Sequence, residues 1–283
     1  MKKFLAGLFL SVLVLALAAC GADKKDDAGS TTGDKADSKE NVTLTVGASN
    51  TPHAVILEKA KPILAEQGID LKIETYTDYV LPNQDLESKT LDANYFQHIP
   101  YLDLQIKDNG YDFVNAGGVH IEPIGIYSKK YKTLEDLPEG ATILLSNSVS
   151  DHGRMLSLLE AKGLIKLKDG IDKTAAEIKD IAENPKNFKF DANTAPEMLV
   201  QMFENEEGDA VLINSNFAID NGLNPLEDAI SLEDKESPYV NIIAVRAGDE
   251  TKQEIKKLLE VLTSKEIQDF ILEEWKGSVV PVK

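Results

Sequence analysis

Two stretches of this sequence have the composition of a recognition site. The first, DANYFQHIPYLDLQ (residues 92–105), crowds Tyr95, Phe96, His98 and Tyr101 into seven positions of a chain that is only 6% aromatic. Rings at that density make either a hydrophobic corner or a wall for an apolar or sulfur-bearing ligand, since sulfur against aromatic edges gains roughly 0.3 to 1.5 kcal/mol. The second, SNSVSDHGRML (residues 146–156), gathers serines, Asp151 and His152 around Arg154, one of only two arginines in the chain. A guanidinium at a helix start grips a carboxylate in bidentate fashion beside free backbone amides. The alternative is a surface arginine paired with Asp151 three residues back, worth roughly a few tenths of a kcal/mol.

Other chemistries fit the sequence less well. Ser150, Asp151 and His152 adjoin one another, but catalytic triads are assembled across a fold, and neighbours on one loop rarely face each other. No G-x-S-x-G, phosphate-binding loop or dinucleotide fingerprint occurs, so no enzyme is expected. The four histidines include the H-x-E of His120 and Glu122, but no pair has i, i+4 spacing, and neither a metal nor a cofactor is expected. With 48 acidic against 30 basic residues the formal charge is -18, which repels phosphate backbones and argues against nucleic acid.

The elements that must position these groups alternate in type. VTLTVGA and IDLKIETY read as strands separated by the helical PHAVILEKAKPILAEQG. Further strands are expected at YDFVNAG, EPIGIYS, ATILLS, NFKFDA, DAVLIN and YVNIIAV, with helices over 82–91, 99–109, 153–162, 196–204 and 252–275, the last broken near Ser264. Strands alternating with helices predict α/β layers with largely parallel sheets. A chain of 283 residues is near the size at which one core divides into two. EPIGIYS and SPYVNIIAV flank a central segment of about 110 residues, so a double crossing between lobes would leave a hinge with a cleft beside it. The expected division is 42–126 for the first lobe, 127–236 for the second and 237–283 for the return to the first.

Residues 1–19 have the pattern of a secretory leader: Lys2 and Lys3, an apolar run over 4–17, then Ala18 and Ala19. Cys20, the only cysteine, follows LAA and precedes Gly21, which resembles the lipobox of bacterial lipoproteins. That resemblance implies cleavage before Cys20, a diacylglycerol on its thiol and an acyl chain such as palmitate on the new amine. Residues 20–41 then form a tether without Leu, Ile, Phe or Tyr to bury, with a root-mean-square span of roughly 25 Å.

The blocks TDYVLPN, LDANYFQHIPYL, VHIEPIGIYSKKYKTLEDLPEGATI, GLIKLKDG, ENPKN and EDKESPYVN, in this order over residues 42–283, resemble the methionine-binding, NlpA-type lipoproteins of ABC importers. The resemblance implies a type II periplasmic-binding-protein fold, with two lobes joined by a two-strand hinge around a central cleft. It also implies an extracytoplasmic, membrane-anchored monomer that hands a small amino acid to a permease with its ATPase. Tyr79, Phe96 and His98, with Tyr101 beside them, are then the wall for the ligand's apolar side chain, and Arg154 holds the ligand carboxylate. VLINSNFAIDNG resembles the family's Asn-containing turn and adds Asn216 and Asn214, residues that could equally be helix caps.

One block departs from the family. Where methionine-specific members carry a PNDPTNEGR-like loop, this chain has SNSVSDHGR, with Asn147 retained as a ligand-binding candidate, both prolines lost, Asp151 for Asn and His152 for Glu. Ser148 and Asp151 have capping-box spacing. Asp151 either meets a ligand's ammonium or sits against Arg154 or His152. The leading ligand is methionine or a close analogue; a methionine-containing dipeptide or another apolar amino acid is the alternative. A metal receptor, an enzyme on the same fold and a surface adhesin are more remote readings.

Overall fold

VTLTV is rich in β-branched residues, with Leu44 and Val46 on one face, which suits a strand entering a core. In the computed structural model, which describes residues 41–234 and 237–282, it opens β1 (Val42–Ser49), exposed at Val42 and fully buried at Val46 and Ala48. The leader, Cys20 and the tether up to residue 40 lie outside the described residues. Helix α1 (Val55–Glu66) carries the chain back so that β2 (Ile69–Tyr76) runs parallel to β1, as a crossover connection requires. α2 (Leu81–Glu87), β3 (Ala93–His98), α3 (Ile99–Asn109) and β4 (Phe113–Ile121) follow.

The middle of the chain builds β5 (Gly125–Tyr127), β6 (Thr142–Ser146), α4 (Val149–Ala161), a small ribbon of β7 (Lys166–Leu167) with β8 (Ile181–Glu183), and β9 (Lys189–Thr194). α5 (Leu199–Glu204), β10 (Ala210–Ile213), α6 (Ser215–Asp220), α7 (Pro225–Asp228) and β11 (Ala229–Leu232) complete it. The chain then returns through β12 (Val240–Arg246), α8 (Gln253–Leu262), α9 (Lys265–Trp275) and β13 (Val280–Pro281).

Two sheets result, ordered β13-β4-β12-β3-β1-β2 and β11-β5-β10-β6-β9. The chain leaves the first sheet after Ile121, enters the second at Gly125, and returns between Leu232 and Val240, so two short crossings join the lobes. Each sheet has its own core: Val46, Ile56, Leu64 and Leu258 in the first, Ile143, Leu145, Leu158 and Leu212 in the second. On α8, Ile255, Leu258 and Leu262 recur at helical intervals and are buried. Ser264 caps α9 by accepting the Ile267 N–H, which produces the break expected in that region.

The aromatic stretch is itself a strand, which the sequence pattern does not reveal. All six residues of β3 are buried between β12 and β1, including the polar Asn94 and Gln97. Their amides close a triangle with Asn83 on α2: Gln97 donates to Asn83 at 2.9 Å and to Asn94 at 2.8 Å, and Asn94 donates to Asn83 at 2.8 Å. Satisfied in this way, amides sit inside a core. Helix α4 also differs from expectation, starting at Val149 rather than Gly153. A Cβ on Gly153 would lie 2.4 Å from the Lys173 carbonyl oxygen, so glycine there lets the 173–174 backbone press onto the helix.

Candidate functional site

β3, the first turn of α3 and the segment before α2 bring Tyr79, Phe96, His98 and Tyr101 to one side of a cleft, and α4 and α6 bring Asp151, Arg154 and Asn216 to the other, with Asn214 at the N-cap of α6. The cleft has a volume of about 400 Å³. Phe96 and Tyr101 each lie 6.0 Å from Tyr79 between ring centroids, and Phe217 on α6 approaches Tyr79 from the opposite lobe at 4.9 Å. The Tyr79 hydroxyl donates across the cleft to Asn216 Oδ1 at 2.7 Å. Of the residues singled out in the sequence, Asn147 does not join this cluster: it is exposed in a neighbouring groove that it shares with Tyr79 and Tyr101.

Arg154 is 4% exposed and sits in the second turn of α4, away from the free amides of its first turn. Its partner is Glu233 and not Asp151: Nε and Nη2 donate to Glu233 Oε2 at 2.8 and 2.5 Å. Nη2 also donates to the backbone carbonyl of Glu122, and the guanidinium lies 4.9 Å over the Tyr239 ring. Burial opposes its charge, but Glu233 holds its pKa above the ordinary value. The bidentate edge expected for a ligand is therefore occupied by the protein's own acid, and Nη1 has no hydrogen-bond partner among the described residues.

Asp151 is 2% exposed and contacts neither Arg154 nor His152 by hydrogen bond. His152 donates instead to the Ser146 carbonyl at 2.8 Å, and Ser148 caps α4 without a side-chain bond, so the capping box is not formed. Asp151 Oδ1 accepts from His98 Nε2 at 3.0 Å and Oδ2 from Asn214 Nδ2 at 3.1 Å. The His98 Nδ1 accepts the Tyr101 backbone N–H at 3.2 Å, which puts the ring proton on Nε2 and makes His98 a neutral donor. Burial alone would raise the Asp151 carboxyl; the His98 hydrogen bond, with Arg154 and Asn214, holds it below the ordinary carboxylate range. Asp151 is thus a buried anion held by neutral donors, and beside it Asn214 Oδ1 is a buried acceptor with no partner among the described residues.

A second polar cluster adjoins the cleft, and His53, Glu122 and Asn241 from it reach the lining. Tyr95 donates to His120 Nδ1, His120 Nε2 reaches Glu122 Oε1 at 2.7 Å, and His53 Nε2 lies 3.2 Å from that oxygen and 3.0 Å from Asn241 Oδ1. The ligand atoms of His53, His120 and Glu122 fall within 4.8 Å of one another, and they could hold a divalent ion only if both Nε2 atoms gave up their protons. As placed, they form a hydrogen-bonded chain of neutral imidazoles. Desolvation pushes His53 down to about 4 and His120 down to about 3, and pushes Glu122 up.

This cluster makes stability depend on pH. In the unfolded chain each imidazole binds a proton near 6.5, whereas in the folded chain it stays neutral to about 4 or below. Between those values the unfolded state holds more protons, so stability falls as pH drops below about 6.5. Glu122 acts in the opposite sense, because burial raises its carboxyl and it takes up a proton earlier in the folded state, but one carboxyl cannot offset both imidazoles. A net loss of stability is expected between about pH 7 and about pH 5. Urea denaturation at the two pH values checks this, and equal or greater stability at the lower pH would show that the imidazoles are not held neutral.

The family model for NlpA lipoprotein matches residues 44–283. The chain belongs to the NlpA lipoprotein family. It is 50% identical to the methionine-binding lipoprotein MetQ of Bacillus subtilis over 100% of this chain and 99% of that protein, and 38% identical to the D-methionine-binding lipoprotein MetQ of Escherichia coli K12 over 94% and 93%. Among solved structures, a pheromone cOB1 precursor/lipoprotein of the YaeC family from Enterococcus faecalis is 56% identical with a TM-score of 0.83, covering 85% of this chain and 100% of that one. A nutrient-binding protein from Burkholderia cenocepacia, solved bound to methionine, is 42% identical with a TM-score of 0.80 over 85% and 100%. The architecture is the two-lobed periplasmic-binding-protein fold expected from the resemblance.

Sequence reasoning missed Glu233, Tyr239 and Asn241 as parts of the site, although all three lie in the EDKESPYVN block that carries the family resemblance. The signal was there, but nothing in the composition of that block tells which of its charges turns inward. Glu122 and His53 also line the cleft, although the residue types by themselves suggest no more than metal ligation.

Proposed function

We propose that this protein is the lipid-anchored substrate-binding component of an ABC importer and that it binds methionine or a closely related amino acid between its lobes. The observation that carries this reading is the pairing of a buried, un-neutralised Asp151 carboxylate with a buried Arg154 guanidinium on one face of α4, opposite an aromatic wall. An α-amino acid offers a cation, an anion and a side chain to match these three features. Asp151 and the free Asn214 Oδ1 receive the ammonium, Arg154 Nη1 contributes to the carboxylate site, and Tyr79, Phe96 and Tyr101 receive the thioether. The names of the B. subtilis and E. coli relatives and the methionine in the B. cenocepacia structure support the same ligand class.

The family and the topology support the rest of the reading. The lobes are divided at the two crossings, Cys20 carries the lipid, and the protein works as a monomer outside the cytoplasmic membrane, delivering its ligand to a permease and ATPase without itself being an enzyme. Contacts from both lobes to one ligand favour the closed form over the open one. Mass spectrometry of small molecules released from gently purified protein, followed by calorimetric titration with L-methionine, tests the function. The expected result is methionine or a near relative in the released fraction and a dissociation constant of about 1 µM or tighter, within the efficiency limit for so small a ligand. Absence of any α-amino acid, together with no binding of L-methionine, would overturn the reading.

A further inference from the structure

Arg154 is fastened to both chain crossings between the lobes, and a single acid makes the connection. Glu233 lies just beyond β11 in the second crossing, yet its Oε2 accepts the backbone N–H of Ile124 in the first crossing at 3.2 Å as well as Arg154 Nε and Nη2. Its own N–H donates to the Ile124 carbonyl at 2.9 Å, and its Oε1 accepts from the Ser237 hydroxyl at 3.0 Å. The Ser237 oxygen in turn accepts the Tyr239 N–H at 3.2 Å, next to the ring on which the guanidinium rests. Arg154 Nη2 completes the ring of contacts through the Glu122 carbonyl, again in the first crossing.

We propose that Glu233 is a positioning residue for ligand binding: it holds one edge of the Arg154 guanidinium, turns Nη1 toward the cleft, and ties recognition of the ligand's carboxylate to the two crossings about which the lobes move. The proposal rests on the reading of Arg154 as part of the carboxylate site. An arginine side chain has four rotatable bonds and loses rotamer freedom when it is held, so a donor aimed at the cleft has to be fixed by something else. Glu233 does this on the side away from the ligand, where its side chain is 14% exposed. Its negative charge also repels a ligand carboxylate, so an electrostatic and a positional role predict opposite signs on its removal.

That opposition supplies the test. Affinities for L-methionine and L-methioninamide, which lacks the carboxylate, are measured by calorimetry for the wild type and for Glu233→Ala, Glu233→Gln and Glu233→Asp. With positioning, Glu233→Ala weakens methionine by about tenfold or more and methioninamide by less than about threefold, so the preference between them collapses. Glu233→Gln keeps an accepting oxygen in place and stays within about threefold of the wild type for methionine or binds it more tightly. Glu233→Asp keeps the charge but withdraws the oxygen by about 1.5 Å, loses about threefold to tenfold, and carries the test if the Ala protein does not fold. Tighter methionine binding by Glu233→Ala, or equal losses for both ligands in the Ala and Asp variants, would overturn the positioning role. If the wild type itself binds methioninamide as well as methionine, the carboxylate reading of Arg154 fails first and takes the proposal with it.

Discussion

Replacing Arg154 with alanine is expected to weaken L-methionine binding by about 2 to 4 kcal/mol, a loss of about 30-fold to 1,000-fold. Among the described residues Arg154 is the only guanidinium lining the cleft, and it lies on the same helix face as an anion, Asp151, that cannot help a carboxylate. Without it a bound carboxylate would face Asp151 and Glu122, and among the described residues no lysine or other arginine lines the cleft to offset them. The same substitution leaves the Glu233 carboxylate and the Glu122 carbonyl without their strongest donor, so the fold loses about 1 to 3 kcal/mol as well. Arg154→Lys separates the two effects: an ammonium keeps the charge but cannot hold Glu233 along two nitrogens and still turn a third toward the cleft. An intermediate loss of affinity is expected for lysine, measured by calorimetry alongside thermal melting without ligand. A loss smaller than about threefold in a folded Arg154→Ala protein would take Arg154 out of the ligand site.

Much of the scaffold is legible in the sequence because its elements obey one pattern each. The β1, α1, β2 unit and the amphipathic α8 follow from apolar periodicity and end at Gly68 and Ser264, residues suited to stopping or capping a helix. β3 is not legible, because Asn94 and Gln97 interrupt its apolar run and become interior residues only through contacts with each other and with Pro82 and Asn83 on α2. The start of α4 is obscured for a similar reason: serines, Asp151 and His152 suggest a loop, and their buried partners Ser146 and His98 come from β6 and β3. Most of the site residues read from the family resemblance converge on the cleft, yet the orientation of Arg154 depends on Glu233, 79 residues away in a run of charges that looks solvent-facing. Local pattern predicts elements; the direction of a buried charge depends on which distant group meets it.

The substitution Asp151→Asn is expected to weaken L-methionine by about 1 to 3 kcal/mol while leaving the fold intact, because the side chains have the same shape. Neutral His98 and Asn214 both donate to Asp151, so the carboxylate retains its full charge in a buried setting. An asparagine there could accept from His98 through Oδ1, but its Nδ2 would then meet the Asn214 Nδ2, donor against donor. Turning the Asn214 amide over relieves that clash and uses the acceptor, Asn214 Oδ1, that had no partner. One substitution thus removes both acceptors available to an ammonium, the charged one directly and the neutral one through its neighbour. If Asp151 served only to orient His98, asparagine would do nearly as well, and relief of repulsion toward the ligand's carboxylate would leave methionine binding equal or tighter. Titration of both proteins with L-methionine and N-acetyl-L-methionine distinguishes the two roles. With an ammonium contact the wild type prefers the free amino acid by about tenfold or more, and Asp151→Asn narrows that preference by weakening methionine while the acetylated compound changes by less than about threefold. Equal binding of the two compounds by the wild type, or methionine bound at least as tightly by Asp151→Asn, would show that the Asp151 anion meets no ligand cation.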